Sequence, residues 1–157
     1  MKRLLPLLFA AIAITLSCQG KQTGDNSLKK INDKKVFVMG LDDSFPPMGY
    51  RDENNEIVGY DVDLAREVCV RNNWTLKLQP IDWNAKEQEL STGNIDCIWN
   101  GFTITEERSR QVNFSEPYLT NAQVVVVRED SPAQNLADFS GKLIGLQAGS
   151  SAADAVD

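Results

Sequence analysis

No histidine occurs among the 157 residues of the chain. That absence removes the commonest general base at neutral pH, the Ser-His and Cys-His nucleophile pairs, and most zinc sites. Cysteine is scarce too, at three, and a thiol with no histidine beside it lacks its usual partner for nucleophilic catalysis. Basic residues are outnumbered, 16 Lys and Arg against 22 Asp and Glu, which gives a formal net charge of −6 and a pI near 4.7. Such a balance disfavours nucleic acid as a partner, because affinity for phosphate backbones rests on Lys and Arg. The inventory predicts no catalytic residue, no metal site and no cofactor.

Long apolar runs are missing except near the start, where Lys2 and Arg3 precede a stretch from Leu4 to Leu16. It is too short to span a bilayer but matches the hydrophobic region of a secretory signal. Residues 1–17 are therefore expected to be a signal peptide, and the protein to be exported to the periplasm or cell surface. Thr15-Leu16-Ser17-Cys18 resembles a bacterial lipobox, which implies a lipid anchor on Cys18; an ordinary cleaved signal ending nearby is the alternative. Residues 18–35 are polar and charged, and are expected to form a mobile tether because they offer too little apolar surface for a core. Cys69 and Cys97 are open to pairing in an oxidising compartment, but each lies on an apolar face where a thiol acts as a small hydrophobe, and the second reading is preferred.

From Val36 the pattern becomes that of a packed domain. Val36 to Leu41 is a compact apolar run bounded by Lys34-Lys35 and Asp42-Asp43, which predicts a buried strand ending at an acid, an aromatic (Phe45) and the stiff Pro46-Pro47. Asn54-Asn55 between Met48–Tyr50 and Ile57-Val58 predicts a hairpin. Val62, Ala65, Val68 and Cys69 recur at helical spacing, with Asp61 placed to cap that helix. Trp74 to Leu78 alternates as a second strand, Trp83 follows in a loop, Asn84 to Leu90 is helical up to Gly93, and Ile95 to Trp99 is a third strand. Strand, helix, strand, helix, strand predicts an α/β fold with a mostly parallel sheet. Its ligand site belongs at the carboxyl ends of the strands.

That end of the third strand reads Asn100-Gly-Phe-Thr-Ile-Thr-Glu-Glu-Arg108. Gly101 permits a close backbone approach, Thr103 presents a hydroxyl, and Thr105 is placed to cap a helix whose third position is Arg108. Amides, a hydroxyl and a guanidinium converging on one spot suit a carboxylate, whose two oxygens match the donor fork of arginine. Alternatively, Arg108 faces water or pairs with Glu106 or Glu107.

Three ordered motifs carry a family resemblance. Gly59-Tyr-Asp-Val-Asp-Leu-Ala-Arg-Glu-Val-Cys-Val-Arg-Asn72 resembles the fourteen-residue signature of the extracellular solute-binding proteins of family 3, receptors for polar amino acids that feed ABC importers. Asp42 to Tyr50 is similar to that family's acid-aromatic-proline loop, and Gly101 to Arg108 to its Gly-x-Thr-x-Thr-x-x-Arg segment. The resemblance implies a type II periplasmic binding protein of two α/β lobes that close on an amino acid. It implies that Arg108 clamps the α-carboxylate with help from Thr103, that Asn100 or Gly101 offers a carbonyl oxygen to the α-ammonium, that Phe45 and Trp83 flank the side chain, and that Asp42 reads its polar end. Ser150 and Ser151, after Gly149, look like the second lobe's share of the carboxylate site.

The implied organisation is a first lobe over 36–121, a crossover strand over 122–128 and the start of an incomplete second lobe over 129–157, where Lys142 to Gln147 is expected to be a strand. The implied partners are a small amino acid, the membrane permease of an importer and, through Cys18, a membrane. Two other readings share the resemblance: an arogenate or prephenate dehydratase with Asp42 or Glu116 as acid, and the ligand-binding module of a sensor.

Overall fold

A computed structural model describes residues 25–156. The expected signal peptide, Cys18 and the tether as far as residue 24 lie outside the described residues. Among the described residues no helix is long and apolar enough to cross a membrane.

The sheet is built on strand β1, Val36–Leu41, which lies between β5, Thr75–Pro80, and β6, Cys97–Ile98. Both pairings are parallel, with Met39 opposite Leu78 on one side and Cys97 on the other. A central strand buried on both faces needs a continuous apolar run rather than an alternating one, which is what Val36 to Leu41 supplies. Helix α2, Tyr60–Asn72, covers one face: Val62, Ala65 and Cys69 join Phe37, Met39 and Leu41 in the core. Before it, β2 (Ser44–Phe45), β3 (Gly49–Arg51) and β4 (Ile57–Val58) form a small antiparallel sheet, and the hairpin expected around Asn54-Asn55 is its β3–β4 turn. A 3-10 turn at Trp83–Ala85 leads into α3, Lys86–Thr92, which ends at Gly93.

Four expectations are corrected. The tether does not extend to residue 35, because Ser27–Lys34 is helix α1. Ile31 is buried in the core, Asn32 accepts a hydrogen bond from the indole of Trp74 (3.1 Å), and Lys34 pairs with Asp96 (2.7 Å). The helix has two apolar residues, Leu28 and Ile31, too few to stand out in a polar stretch, and only Ile31 is buried, yet these three anchors suffice to dock it. Secondly, Asp61 does not cap α2: Gly59 precedes the helix, and the Asp61 side chain turns inward and is fully buried. The third and fourth are the strands over 122–128 and 142–147, which have no ladder partner among the described residues. A valine-rich segment becomes a strand only when a neighbour accepts its backbone bonds. Val124 and Val126 are 75% and 87% exposed. Three short elements follow α3 and β6, namely α4 at Glu106–Ser109, a 3-10 turn at Leu136–Phe139 and α5 at Ser151–Asp154.

Both remaining thiols are free. Cys69 lies in the core, and burial, helped by the nearby charge of Asp96, pushes the Cys97 thiol up to about 12, so neither is a nucleophile at neutral pH.

The core around β1 and the uncovered valines make opposite predictions. Met39→Ala, at a fully buried site, should lower unfolding free energy by about 2–5 kcal/mol. Val126→Ala should change it by less than about 0.5 kcal/mol. Urea denaturation of both variants checks the pair, and similar losses would contradict the placement of the core.

Candidate functional site

The carboxyl ends of β1 and β6, the 3-10 turn before α3 and the start of α4 surround a cleft of about 800 Å³, within the size range of small-molecule pockets. All nine residues singled out in the sequence border it: Asp42, Phe45, Trp83, Asn100, Gly101, Thr103, Arg108, Ser150 and Ser151.

Thr105 caps α4 as expected, its hydroxyl accepting from the backbone N–H of Arg108 (3.2 Å). That cap turns the third helical residue back toward the strand ends. Arg108 does not face water; it is only 8% exposed. One guanidinium nitrogen, Nη1, donates to the Thr103 carbonyl (3.1 Å), Nη2 donates to the Gly149 carbonyl (3.2 Å), and the group lies over the Phe102 ring at 4.6 Å. Glu106 pairs instead with Arg110 (2.5 Å). Arg108 makes no ion pair among the described residues, and its two recorded acceptors are neutral carbonyls. A buried cation held by neutral groups alone is an unbalanced charge, and it favours an anion that arrives from outside.

Around it the hydroxyls form a chain. Gln123 donates to Ser151 (2.9 Å), Ser151 donates to the Thr103 hydroxyl (3.1 Å), and Asn121 donates to the same oxygen (2.6 Å). Ser150 caps α5 by accepting from the N–H of Ala152 (3.3 Å). Elsewhere in the lining, Asp42 uses one carboxylate oxygen to accept from the N–H of Ser44 (2.9 Å) and the other to accept from Gln147 (2.7 Å). Its own backbone N–H donates to the side-chain oxygen of Asn100 (2.9 Å), which ties the end of β1 to the end of β6. Asn100 is 2% exposed, and its amide nitrogen has no partner among the described residues. Phe45 is exposed at the cleft. Trp83 is half-buried, packing edge-on against Phe102 at 5.7 Å, and Phe102 stacks on Phe114 at 5.3 Å.

Several other residues shape the cleft, although the sequence alone points to no role for them there. Phe102 and Phe114 form an apolar wall beneath Arg108, and Gln147 reaches Asp42 across 105 positions of chain. Asp61 holds the floor. It accepts from the N–H of Gly101 (2.6 Å) and from the hydroxyl of Tyr118 (2.8 Å), fixing the turn where Gly101 takes a φ of 58°. Only the mutual placement of distant segments brings these groups together. Burial raises the pKa of Asp61 above 3.8, opposed by its hydrogen bonds from Tyr118 and Gly101; burial and the facing carboxylate push the Tyr118 phenol up as well.

Because its pKa is raised on folding, Asp61 binds its proton more tightly in the native state. Its contribution to stability is complete below the unfolded value, 3.8, and is lost as pH rises through the folded value. Asp61→Asn removes that contribution. Between pH 7 and pH 4 the urea midpoint of the parent chain should therefore fall less steeply than that of the variant, and parallel profiles would contradict the assignment.

The chain as a whole has known relatives. Residues 37–152 match the bacterial extracellular solute-binding proteins, family 3. The arginine-binding extracellular protein ArtP of Bacillus subtilis is 35% identical over 150 residues, covering 95% of this chain and 56% of that protein. Among solved structures, an ABC uptake transporter substrate-binding protein from Streptococcus pneumoniae with bound histidine superposes with a TM-score of 0.80 at 42% identity, covering 84% of this chain and 53% of that one. A variant of domain 1 from TmArgBP in its arginine-bound form is similar at a TM-score of 0.57 and 42% identity, over 59% of this chain and 71% of that one. The chain spans about half the length of the curated relatives it matches.

Proposed function

Since the chain belongs to the bacterial extracellular solute-binding proteins of family 3 and has the α/β fold of the type II periplasmic binding proteins, we propose that it captures a free polar amino acid in this cleft for delivery to an ABC importer. One observation carries the reading: Arg108 is a buried guanidinium with no acid beside it among the described residues, at the mouth of the strands. The α-carboxylate of an amino acid supplies the missing charge and, by accepting from the donor fork, satisfies it in two directions. The Thr103 hydroxyl and the serines at 150 and 151 add donors on the same side, and the backbone carbonyl of Asn100 or Gly101 receives the α-ammonium.

A cationic side chain is the preferred ligand chemistry. Asp42 provides a carboxylate in the lining, and Phe45 and Trp83 offer aromatic faces on which a guanidinium or imidazolium lies well. The arginine and histidine named for the relatives agree with that choice. In this reading helix α1 joins residues 36–121 in the first lobe, 122–128 lead out of it and the residues from 129 belong to the second lobe. Export, a lipid anchor at Cys18 and a permease partner complete it, supported by the leader-like N-terminus and by the family's extracellular character. No catalytic role is assigned, because the chain has no histidine and its relatives are binding proteins.

A thermal-shift panel of the twenty amino acids tests the reading, since a ligand that binds only the native state raises the midpoint by mass action. The expected outcome is a rise with arginine, histidine or lysine and none with the carboxylate-blocked amide of the same amino acid. Arg108→Ala should weaken binding by about 30-fold or more, the cost of leaving a buried carboxylate unpaired. No rise with any amino acid, or an unchanged affinity in the variant, would refute the proposal.

A further inference from the structure

Lys86 is a lysine only 4% exposed, at the first position of α3, and it does not line the cleft. Burying so flexible and strongly hydrated a side chain requires that its donors be used. They are: the ammonium donates to the Trp83 carbonyl (3.1 Å) and to the Gly149 carbonyl (3.2 Å), and it pairs with Glu87 (3.1 Å). The rings of Trp83 and Phe102 flank it at 5.4 and 5.9 Å. Trp83 and Glu87 belong to its own turn, but Gly149 lies 63 positions further along the chain.

The Gly149 oxygen is also the acceptor for Nη2 of Arg108, so two buried cations converge on one carbonyl. Gly149 sits tightly against the turn before α3, with a φ of 68° and room for a Cβ only 2.8 Å from the side-chain oxygen of Asn84. Ser150 and Ser151 follow directly. The segment from Gln147 to Ser151 thus meets the sheet-bearing part at Asp42, at the Gly149 carbonyl and at Thr103. Of the side chains that hold it there, Asp42, Thr103 and Arg108 belong to the cleft, and Lys86 stands outside it.

We propose that Lys86 is a positioning residue for the cleft: its ammonium fixes the Gly149 carbonyl, and with it the two serines, against Arg108. The guanidinium is thereby held in one orientation, and the cleft wall is set by a cation that touches no ligand. The consequence for ligand affinity rests on the amino-acid reading above, whereas the latch itself does not.

Hydrogen exchange of the whole chain without ligand tests the latch. In Lys86→Met, amides in 147–153 should exchange about ten-fold faster while those of β1 keep their rates, and Lys86→Arg should restore protection. Lys86→Gln, which keeps a donor and loses the charge, gives the same readout should the methionine variant fold poorly. Titration with L-arginine should then show an affinity loss of about ten-fold in Lys86→Met with recovery in Lys86→Arg. Unchanged exchange at 147–153, or a rise shared equally by β1, would overturn the proposal by making Lys86 an ordinary stabiliser of α3. Normal affinity beside loosened exchange would overturn the link to binding. A parent chain that binds none of the twenty amino acids while Lys86→Met still loosens 147–153 would refute the receptor reading and uphold the latch.

Discussion

A positive charge buried with no ion-pair partner among the described residues is the constraint around which this molecule is arranged. Arg108 is kept out of water by the Phe102 ring and held by the carbonyls of Thr103 and Gly149. Neutral carbonyls satisfy donors but leave the charge unbalanced, so the site has a standing preference for an anion. The position of the guanidinium is itself a product of local chemistry. Gly101 turns the chain at the end of β6, Thr105 caps α4, and the third residue of that helix is carried back over the strand ends. A cation displaced by one helical position would project about 100° away and meet solvent.

Asp61 supports the same site with the opposite sign of charge. Its carboxylate, buried at the start of α2, accepts from the Gly101 N–H and the Tyr118 hydroxyl, so helix, turn and the segment after α4 are joined at one residue. This gives the acidic third position of the fourteen-residue signature a physical reason: it braces the loop that leads to the guanidinium. The charge is costly to bury, as its raised pKa records, and two strong donors offset part of that cost.

Much of this was legible in the residue order. The three parallel strands, the amphipathic α2, the hairpin and the Thr105 cap all follow from periodicity and capping chemistry, which act over a few residues. The nine candidate residues meet at one cleft, and for Asp42, Asn100 and Gly101 the reason is that strand ends in a parallel sheet point the same way. What escaped depends on long-range partners. The inward turn of Asp61 needs Gly101 and Tyr118, the docking of α1 needs Trp74 and Asp96, and the burial of Lys86 needs Gly149. The valines at 124–127 erred the other way, since β propensity expresses itself only where a neighbouring strand completes the ladder.

A crystal structure of the chain with the amino acid that binds it most tightly tests the central claim most directly. The account predicts both carboxylate oxygens within about 3 Å of the Arg108 guanidinium nitrogens, with the ammonium toward Asn100 and Gly101. An amino acid seated elsewhere, its carboxylate away from Arg108 and the guanidinium still bound only to carbonyl oxygens, would contradict it.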